Sequence, residues 1–447
     1  MKLLCVIPEY PPDFGGGIAT FYGALLPALA RRGISVTAIV GSSLSSTTSD
    51  APRESDGVRV VPLDHSRVAN LTNRFLAFAL APDFCRHLAA AWAAWEQMDG
   101  GAGFDCVECA DWGLSFVPWL IRTDGPPTLV RLHASIGQIA LHDPQPGFAL
   151  AEALAQLAET RLLPRAASLT TYGTDNQSWW HRTLGRSIDC RPPPFSSSAK
   201  FVLFPPANRG LVAGRIQEWK GPTTLCRALR ELGDEAPLID WFGRSTLTPA
   251  RHASLAADFP DIWGRRVIPH APLHPAELRG RQVAARFVVV PSDWDVFNYT
   301  AAEALASGTT LICSEGAGAA ALVRDGDNGF RFPAGNHVAL AARIREVLAL
   351  SASERSRLGA AALATVLNEL DPNRIAALEH EAYANLGPSA LNRSSDRSLD
   401  AFFTPDPAVS HARSYAATLA QAGLSRIPLP TLLCHTMARL ATRCLHR

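Results

Sequence analysis

Lysine is almost missing from this chain. Only Lys2, Lys200 and Lys220 occur among 447 residues, and arginine supplies the rest of the basic charge. A lysine set beside a glycine, as in Lys220-Gly221, therefore stands out. Net charge is lacking too: at +1 the chain has no overall field to draw nucleic acid or acidic lipid. No uninterrupted apolar run reaches the length of a membrane span. Glu9 and the neighbouring prolines interrupt the apolar start, which argues against a secretory leader. The nine cysteines are odd in number and scattered, with Cys5, Cys106, Cys226 and Cys313 in apolar contexts. Buried thiols in a reducing compartment fit that usage better than a disulfide framework. Cys106-x-x-Cys109 has the spacing of half a zinc site, but no second pair lies nearby, and no metal is expected. A cytoplasmic protein is the expectation.

What is present reads as an α/β protein. Apolar residues make up 47% of the sequence and mean hydropathy is near zero, as in a soluble globular protein. The length is too great for one core and suggests two domains. Lys2–Ile7 reads as a buried strand running into Pro8-Glu9-Tyr10-Pro11-Pro12 and the glycines Gly15, Gly16 and Gly17. A helix should follow from about Ile18 to Arg32, closed by Gly33. Glycines ahead of a helix let backbone approach a diphosphate, whose charge the helix N-terminus favours; a simple turn would also use them. A dinucleotide fingerprint fits poorly, because Thr20 stands where its third glycine belongs. Further strands are expected at Ser35–Val40, Val58–Val61, Phe104–Glu108, Thr128–Leu132 and Ser168–Tyr172. Helices fill Val68–Gln97, split near Pro82, and Ala151–Leu163. The strand at Thr128–Leu132 delivers His133 to its end; Arg131 and His142 are weaker candidates there.

Proline and serine crowd Arg191-Pro-Pro-Pro-Phe-Ser-Ser-Ser, as in a boundary segment, which places a hinge between about Pro192 and Asn208. Gly210–Ala213 is then a short strand leading to Gly214-Arg215 and on to Lys220-Gly221-Pro222, with Pro222 suited to a first helical turn. A guanidinium forks onto phosphate oxygens and an ammonium adds a compact charge, so Arg215 and Lys220 suit a diphosphate; a solvated pair of loop cations is the alternative. A second strand–helix–strand unit centres on Phe287–Val290. Pro291-Ser292 ends its strand, Asn298 can cap the helix that follows, and Gly308 can close it. Asp295 lies in the connecting loop and Glu303 in the helix, at a mouth of the kind where open α/β sheets bind ligands. Both carboxylates suit sugar and ribose hydroxyls, although a loop aspartate and a helical glutamate also have ordinary structural uses.

The pattern P-S-x-x-D-x-F-x-x-x-x-x-E-A-x-A-x-G over Pro291–Gly308 resembles the signature of family 4 glycosyltransferases, retaining enzymes of the GT-B fold. G-R-x(4)-K-G at Gly214–Gly221 is similar to that family's phosphate-binding element, and P-x-Y-P-P…G-G-I to its first-domain loop near donor phosphate and acceptor. The resemblance implies two Rossmann-like domains facing across a cleft, assigned here to residues 1–195 and 196–387, with 388–447 as linker and tail. It implies transfer of a sugar from a nucleotide-diphosphate sugar to an acceptor hydroxyl of a glycan, glycolipid or small molecule, without cofactor or metal. Arg215 and Lys220 would hold the leaving diphosphate, with Gly16 and Gly17 near it. Glu303 would hold the ribose, Asp295 and His133 the sugar, with Asn298, Tyr299 and Thr300 beside them. His270 takes the family's position near the base, where glycine is usual. Aspartate replaces the family's first glutamate at 295, Asn298 stands where glycine is common, and Ala321 where a glutamate is expected. Gly316-Ala317-Gly318 is expected to offer backbone amides.

Two other readings use the same residues. Asp293-Trp294-Asp295 has the form with which metal-dependent transferases of another fold hold a divalent ion. A catalytically weak GT-B-like partner subunit would explain the aspartate substitution, Ala321 and the added tail; an epimerase of the same fold is a lesser possibility. In the tail, Leu429, Leu432, Leu433, Met437 and Leu440 recur at helical spacing and Arg439, Arg443 and Arg447 every four residues. That pattern fits an amphipathic helix on an anionic membrane surface, although packing against the first domain is the more common use of such a helix and the preferred reading. The polar run Pro388–Asp400 reads as a linker.

Overall fold

Apolar strand runs bounded by glycine and proline set the architecture. The structure, a computed structural model, describes residues 1–12, 16–43, 51–75, 78–122, 124–143, 149–196, 204–387 and 397–406. In β1 (Lys2–Ile7) every residue after Lys2 is buried, as a strand covered on both faces requires. Seven more strands join it: β2 (Ser35–Val40), β3 (Arg53–Ser55), β4 (Val58–Pro62), β5 (Cys106–Ala110), β6 (Thr128–Arg131), β7 (Ser168–Thr171) and β8 (Asp189–Cys190). Their order is β3-β4-β2-β1-β5-β6-β7-β8, parallel except where β3 meets β4. Helices α1 (Gly17–Arg31), α2 (His65–Thr72), α3 (Pro82–Gln97), α4 (Val117–Ile121), α5 (Ile136–His142), α6 (Ala149–Leu162) and α7 (Thr174–Leu184) belong to this first domain.

The second sheet is wholly parallel. Its strands are β9 (Gly210–Ala213), β10 (Ile239–Phe242), β11 (Val267–His270), β12 (Phe287–Val290), β13 (Leu311–Ser314) and β14 (Phe330–Phe332), in the order β11-β10-β9-β12-β13-β14. Helices α8 (Pro222–Leu232), α9 (Pro249–Asp258), α10 (Pro275–Ala284), α11 (Tyr299–Ala306) and α12 (His337–Ala349) alternate with them. Strand order reverses at β1 in one sheet and at β9 in the other. Such reversals open a crevice at the strands' carboxyl ends, where α/β proteins bind ligands.

After α13 (Ala352–Glu369) the chain returns to the first domain as α14 (Pro372–Ala384), which packs along α1. A wholly buried ion network fastens that return. Arg131 on β6 donates to Glu108 on β5 from Nε at 2.6 Å and Nη2 at 2.9 Å, and to Glu379 on α14 from Nη1 at 3.1 Å and Nη2 at 2.9 Å. Arg191, just past β8, adds a bond to Glu379 at 3.1 Å. Buried charges persist only with such pairing, so Arg131 is committed to this network and does not line the cleft.

The segment expected to be linker contains α15 (Arg397–Phe402), followed by the fully buried Phe403. Phe403 sits among Phe78, Phe84 and Trp92, its carbonyl accepts from Trp92 Nε1 at 2.8 Å, and Asp400 pairs with Arg165. Residues near 400 are therefore part of the first domain, held by tertiary contacts that a polar composition does not reveal. The tail pattern from Leu429 to Arg447 lies outside the described residues. Among the described residues no helix is long and apolar enough to cross a membrane.

Candidate active site

A cleft of about 500 Å³ lies between the carboxyl ends of the two sheets. Its second-domain wall begins where β9 ends. Arg215 is exposed there and makes no hydrogen bond or ion pair among the described residues. Gly221 carries the chain from a short turn into α8 with φ +75°, and a Cβ there would lie 2.0 Å from the Pro291 carbonyl oxygen. Only glycine fits, so the turn bearing Lys220 is pressed against the end of β12. The Lys220 ammonium meets the Asp295 carboxylate and lies 4.7 Å over the Trp219 ring. Both amides of Asp293 and Trp294 are tied to the Trp219 carbonyl, at 2.9 and 3.4 Å.

Asp295 is held from a second side by Asn298 Nδ2, which donates to its Oδ2 at 2.9 Å. Asn298 has φ +81° and caps α11 by accepting from the Thr300 amide at 3.1 Å. Asparagine is one of the few residues besides glycine that tolerate this conformation, which accounts for the exchange at a position where the family uses glycine. Thr300 Oγ1 donates to the Ala213 carbonyl at 3.2 Å, fixing α11 against the end of β9. Glu303 faces the cleft one turn further along and accepts from Gln282 Nε2 at 2.9 Å. Burial pushes its carboxyl above the usual range, with the bond from Gln282 and the charge of Arg279 opposing.

The first-domain wall carries His133 at the end of β6. Tyr172 Oη meets Nδ1, and Nε2 lies 3.3 Å from Tyr22 Oη. Tyr22 spends its hydrogen on Glu108 Oε1 at 2.8 Å, so its oxygen is free to accept from Nε2–H, leaving Nδ1 to accept from Tyr172. Burial, reinforced by nearby Arg131, holds the imidazole well below its usual pKa, so it is neutral. Glu9, just past β1, completes this wall with Gly16 and Gly17 of the α1 N-terminus. His142 of α5 does not line the cleft. It stacks on Trp294 across the domain boundary, centroids 4.1 Å apart and planes 6° from parallel.

Of the residues singled out from sequence, Gly16, Gly17, His133, Arg215, Lys220, Asp295, Asn298, Tyr299, Thr300 and Glu303 converge on this cleft. His270 does not. It ends the edge strand β11, bonds Asp240 Oδ1 through Nε2 at 2.9 Å and stacks on Phe242. The amides of Gly316, Ala317 and Gly318 are not available either, being bonded to Ser314 Oγ, the Ser314 carbonyl and the Asp295 carbonyl. The two acids of Asp293-Trp294-Asp295 diverge: Asp293 accepts from Thr224 Oγ1 at 3.0 Å while Asp295 faces Lys220 and Asn298. A single divalent ion between them has no donor set here. Sequence reasoning missed Arg244, Glu9, Trp112 and Tyr22 as cleft or supporting residues. Arg244 follows Gly243 at a strand end just as Arg215 follows Gly214, and that parallel would have pointed to it.

Two Rossmann-like domains, a return helix and a cleft at both switch points define a GT-B glycosyltransferase. Residues 207–349 match the model described as glycosyl transferases group 1, and residues 16–187 the glycosyl transferase 4-like domain. The chain belongs to the family 4 glycosyltransferases. It is 28% identical over 370 residues to the D-inositol 3-phosphate glycosyltransferase of Xylanimonas cellulosilytica, covering 78% of this chain and 87% of that one. The Streptomyces scabiei protein of the same name is also 28% identical, over 80% and 84% of the two chains. Among solved structures, sucrose-phosphate synthase from Thermosynechococcus elongatus superposes with a TM-score of 0.68 at 19% identity, over 86% of this chain and 99% of that one. Anabaena HepE in complex with UDP-glucose gives 0.60 at 16% identity, over 86% and 100%.

Proposed function

We propose that this glycosyltransferase binds the diphosphate of its donor between Arg215, Lys220 and Arg244, the donor ribose at Glu303, and the transferred sugar between Asp295 and His133. The observation that carries this reading is the convergence of those side chains, from β9, β10, α11 and β6, on one cleft. Transfer with retention follows from the family. The bond from the anomeric carbon to the diphosphate oxygen breaks, its electron pair leaving with the diphosphate. The acceptor hydroxyl oxygen bonds that carbon from the same face, and its proton passes to the departing phosphate oxygen. Positioning and stabilisation of leaving-group charge are the protein's contributions. Lys220 has a double part in this scheme: it pairs with Asp295, and with donor bound it stands between that acid and the diphosphate.

HepE has been solved with UDP-glucose, and with UDP and glucose, which makes uridine nucleotides the first to test. Calorimetric titration of nucleoside diphosphates measures the clamp. Arg215→Ala and Lys220→Ala are each expected to weaken binding about ten- to a hundredfold, the worth of one charged hydrogen bond of roughly 1.5–3 kcal/mol. Unchanged affinity in both variants would place the diphosphate elsewhere.

A further inference from the structure

Charge is divided unequally across the cleft. Arg215, Lys220 and Arg244 all stand on the second domain. Among the described residues of the first-domain wall there is no lysine or arginine, His133 is neutral, and the charged side chain is that of Glu9. Gly16 makes room for it, since a Cβ there would lie 2.4 Å from Glu9 Oε2. Burial raises the pKa of this carboxyl above the usual range, while Arg215 across the cleft and a bond from the Ala19 amide oppose that shift. The N-terminus of α1, the natural place for a phosphate on this wall, is thus already covered by the Glu9 carboxyl group. Beside it, half-buried Trp112 and Ile139 turn apolar surface to the cleft.

A phosphorylated acceptor needs a cation of its own. Here Lys220 is matched by Asp295, and a pyrophosphate carries a negative charge on each phosphate for the remaining guanidinium groups. We propose that the acceptor is a neutral polyhydroxylated molecule, a sugar or polyol with no phosphate or carboxylate on the part that enters the cleft, which donates a hydroxyl to Glu9 and lays its C–H face on Trp112. The inference rests on the donor assignment above and differs from the acceptor for which the Xylanimonas and Streptomyces relatives are named. Glu9 is a specificity residue in this account, selecting by repulsion as much as by attraction.

Acceptor pairs test it: glucose with glucose 6-phosphate, and myo-inositol with myo-inositol 3-phosphate, with octyl glucoside standing for a lipid-linked sugar. The readout is release of nucleoside diphosphate above donor hydrolysis, using the nucleotide sugar whose diphosphate the protein binds in calorimetry. A neutral member should raise release, and its phosphorylated twin should have kcat/KM lower by about tenfold or more. Glu9→Gln should lift the twin's relative rate about tenfold, and Glu9→Asp, which keeps the charge, should preserve the discrimination. A phosphorylated twin used as well as its neutral partner overturns the proposal, as does a panel in which no neutral compound exceeds hydrolysis or a ratio unmoved by Glu9→Gln. Loss of all diphosphate binding would instead sink the donor assignment. Octyl glucoside above free glucose points to a glycolipid acceptor, the reverse to a free sugar.

Discussion

Asp295 and Glu303 share a cleft, and in the proposed donor assignment they do not share a task. Glu303 accepts from Gln282 in a buried corner, where it can meet a part of the donor that does not react. Asp295 is paired with Lys220 and bonded by Asn298, and the proposed donor assignment sets it next to the reacting centre. Glu303→Gln should therefore weaken the bare nucleoside diphosphate and the nucleotide sugar alike. Asp295→Asn should leave diphosphate affinity equal or improved, because Lys220 is released, while turnover falls about ten- to a hundredfold. Titration calorimetry beside steady-state rates checks both; loss of diphosphate binding in Asp295→Asn would contradict the division. A second residue-scale prediction concerns His87, buried on α3 with Ser43 Oγ 2.9 Å from its Nδ1. Burial lowers its pKa to about 4. Above its ordinary value of about 6.5 the imidazole is neutral in folded and unfolded chains alike. Below that the unfolded chain takes up the proton first, so stability should decline as pH falls from about 6.5 to about 4, by roughly 3 kcal/mol, and then level off. Denaturant midpoints across that range provide the measurement, with His87→Gln removing the share of the slope that belongs to His87 and leaving that of His133, whose pKa burial also lowers.

At the scale of elements, what was legible followed from local physics. Gly210–Ala213 and Phe287–Val290 are buried apolar runs cut off by glycine or proline, and both were read to the residue. The facing of Glu303 into the cleft followed from its place on α11. Hidden were features whose cause lies far off in sequence: the link from Glu108 through Tyr22 to His133 joins residues from β5, α1 and β6, and no window along the chain contains it. In sequence Glu9 shows only as an interruption of an apolar start, since its seat on α1 depends on Gly16. In α13, missed altogether, Ser351 and Glu354 form a reciprocal cap that was there to be read. α15 is different, for nothing local announces it. Its hold is Phe403, so Phe403→Ala in the full chain should cost about 3–5 kcal/mol by denaturant titration, with diphosphate affinity unchanged. A loss below 1 kcal/mol would mean that the segment adds little to the first domain.

Taken whole, the molecule is two sheets joined, among other contacts, at the hinge around Pro194, the return helix α14, and the stack of His142 on Trp294. The first two lie behind the cleft in continuous chain or buried charge. The third bridges α5 and the loop after β12, and any rotation that parts the domains must break it. Indole emission is sensitive to what lies against the ring, so Trp294 is an optical gauge of the gap between the domains. Rapid mixing with a nucleoside diphosphate that binds should change the fluorescence, Trp294→Phe should remove the share of that change owed to Trp294 and leave that of Trp219, which lines the cleft 4.8 Å away, and His142→Ala should move the starting level toward that of the open form. If Trp294→Phe leaves the signal intact, the stack stays closed during binding. Otherwise the enzyme's opening and closing can be timed in solution without attaching any dye.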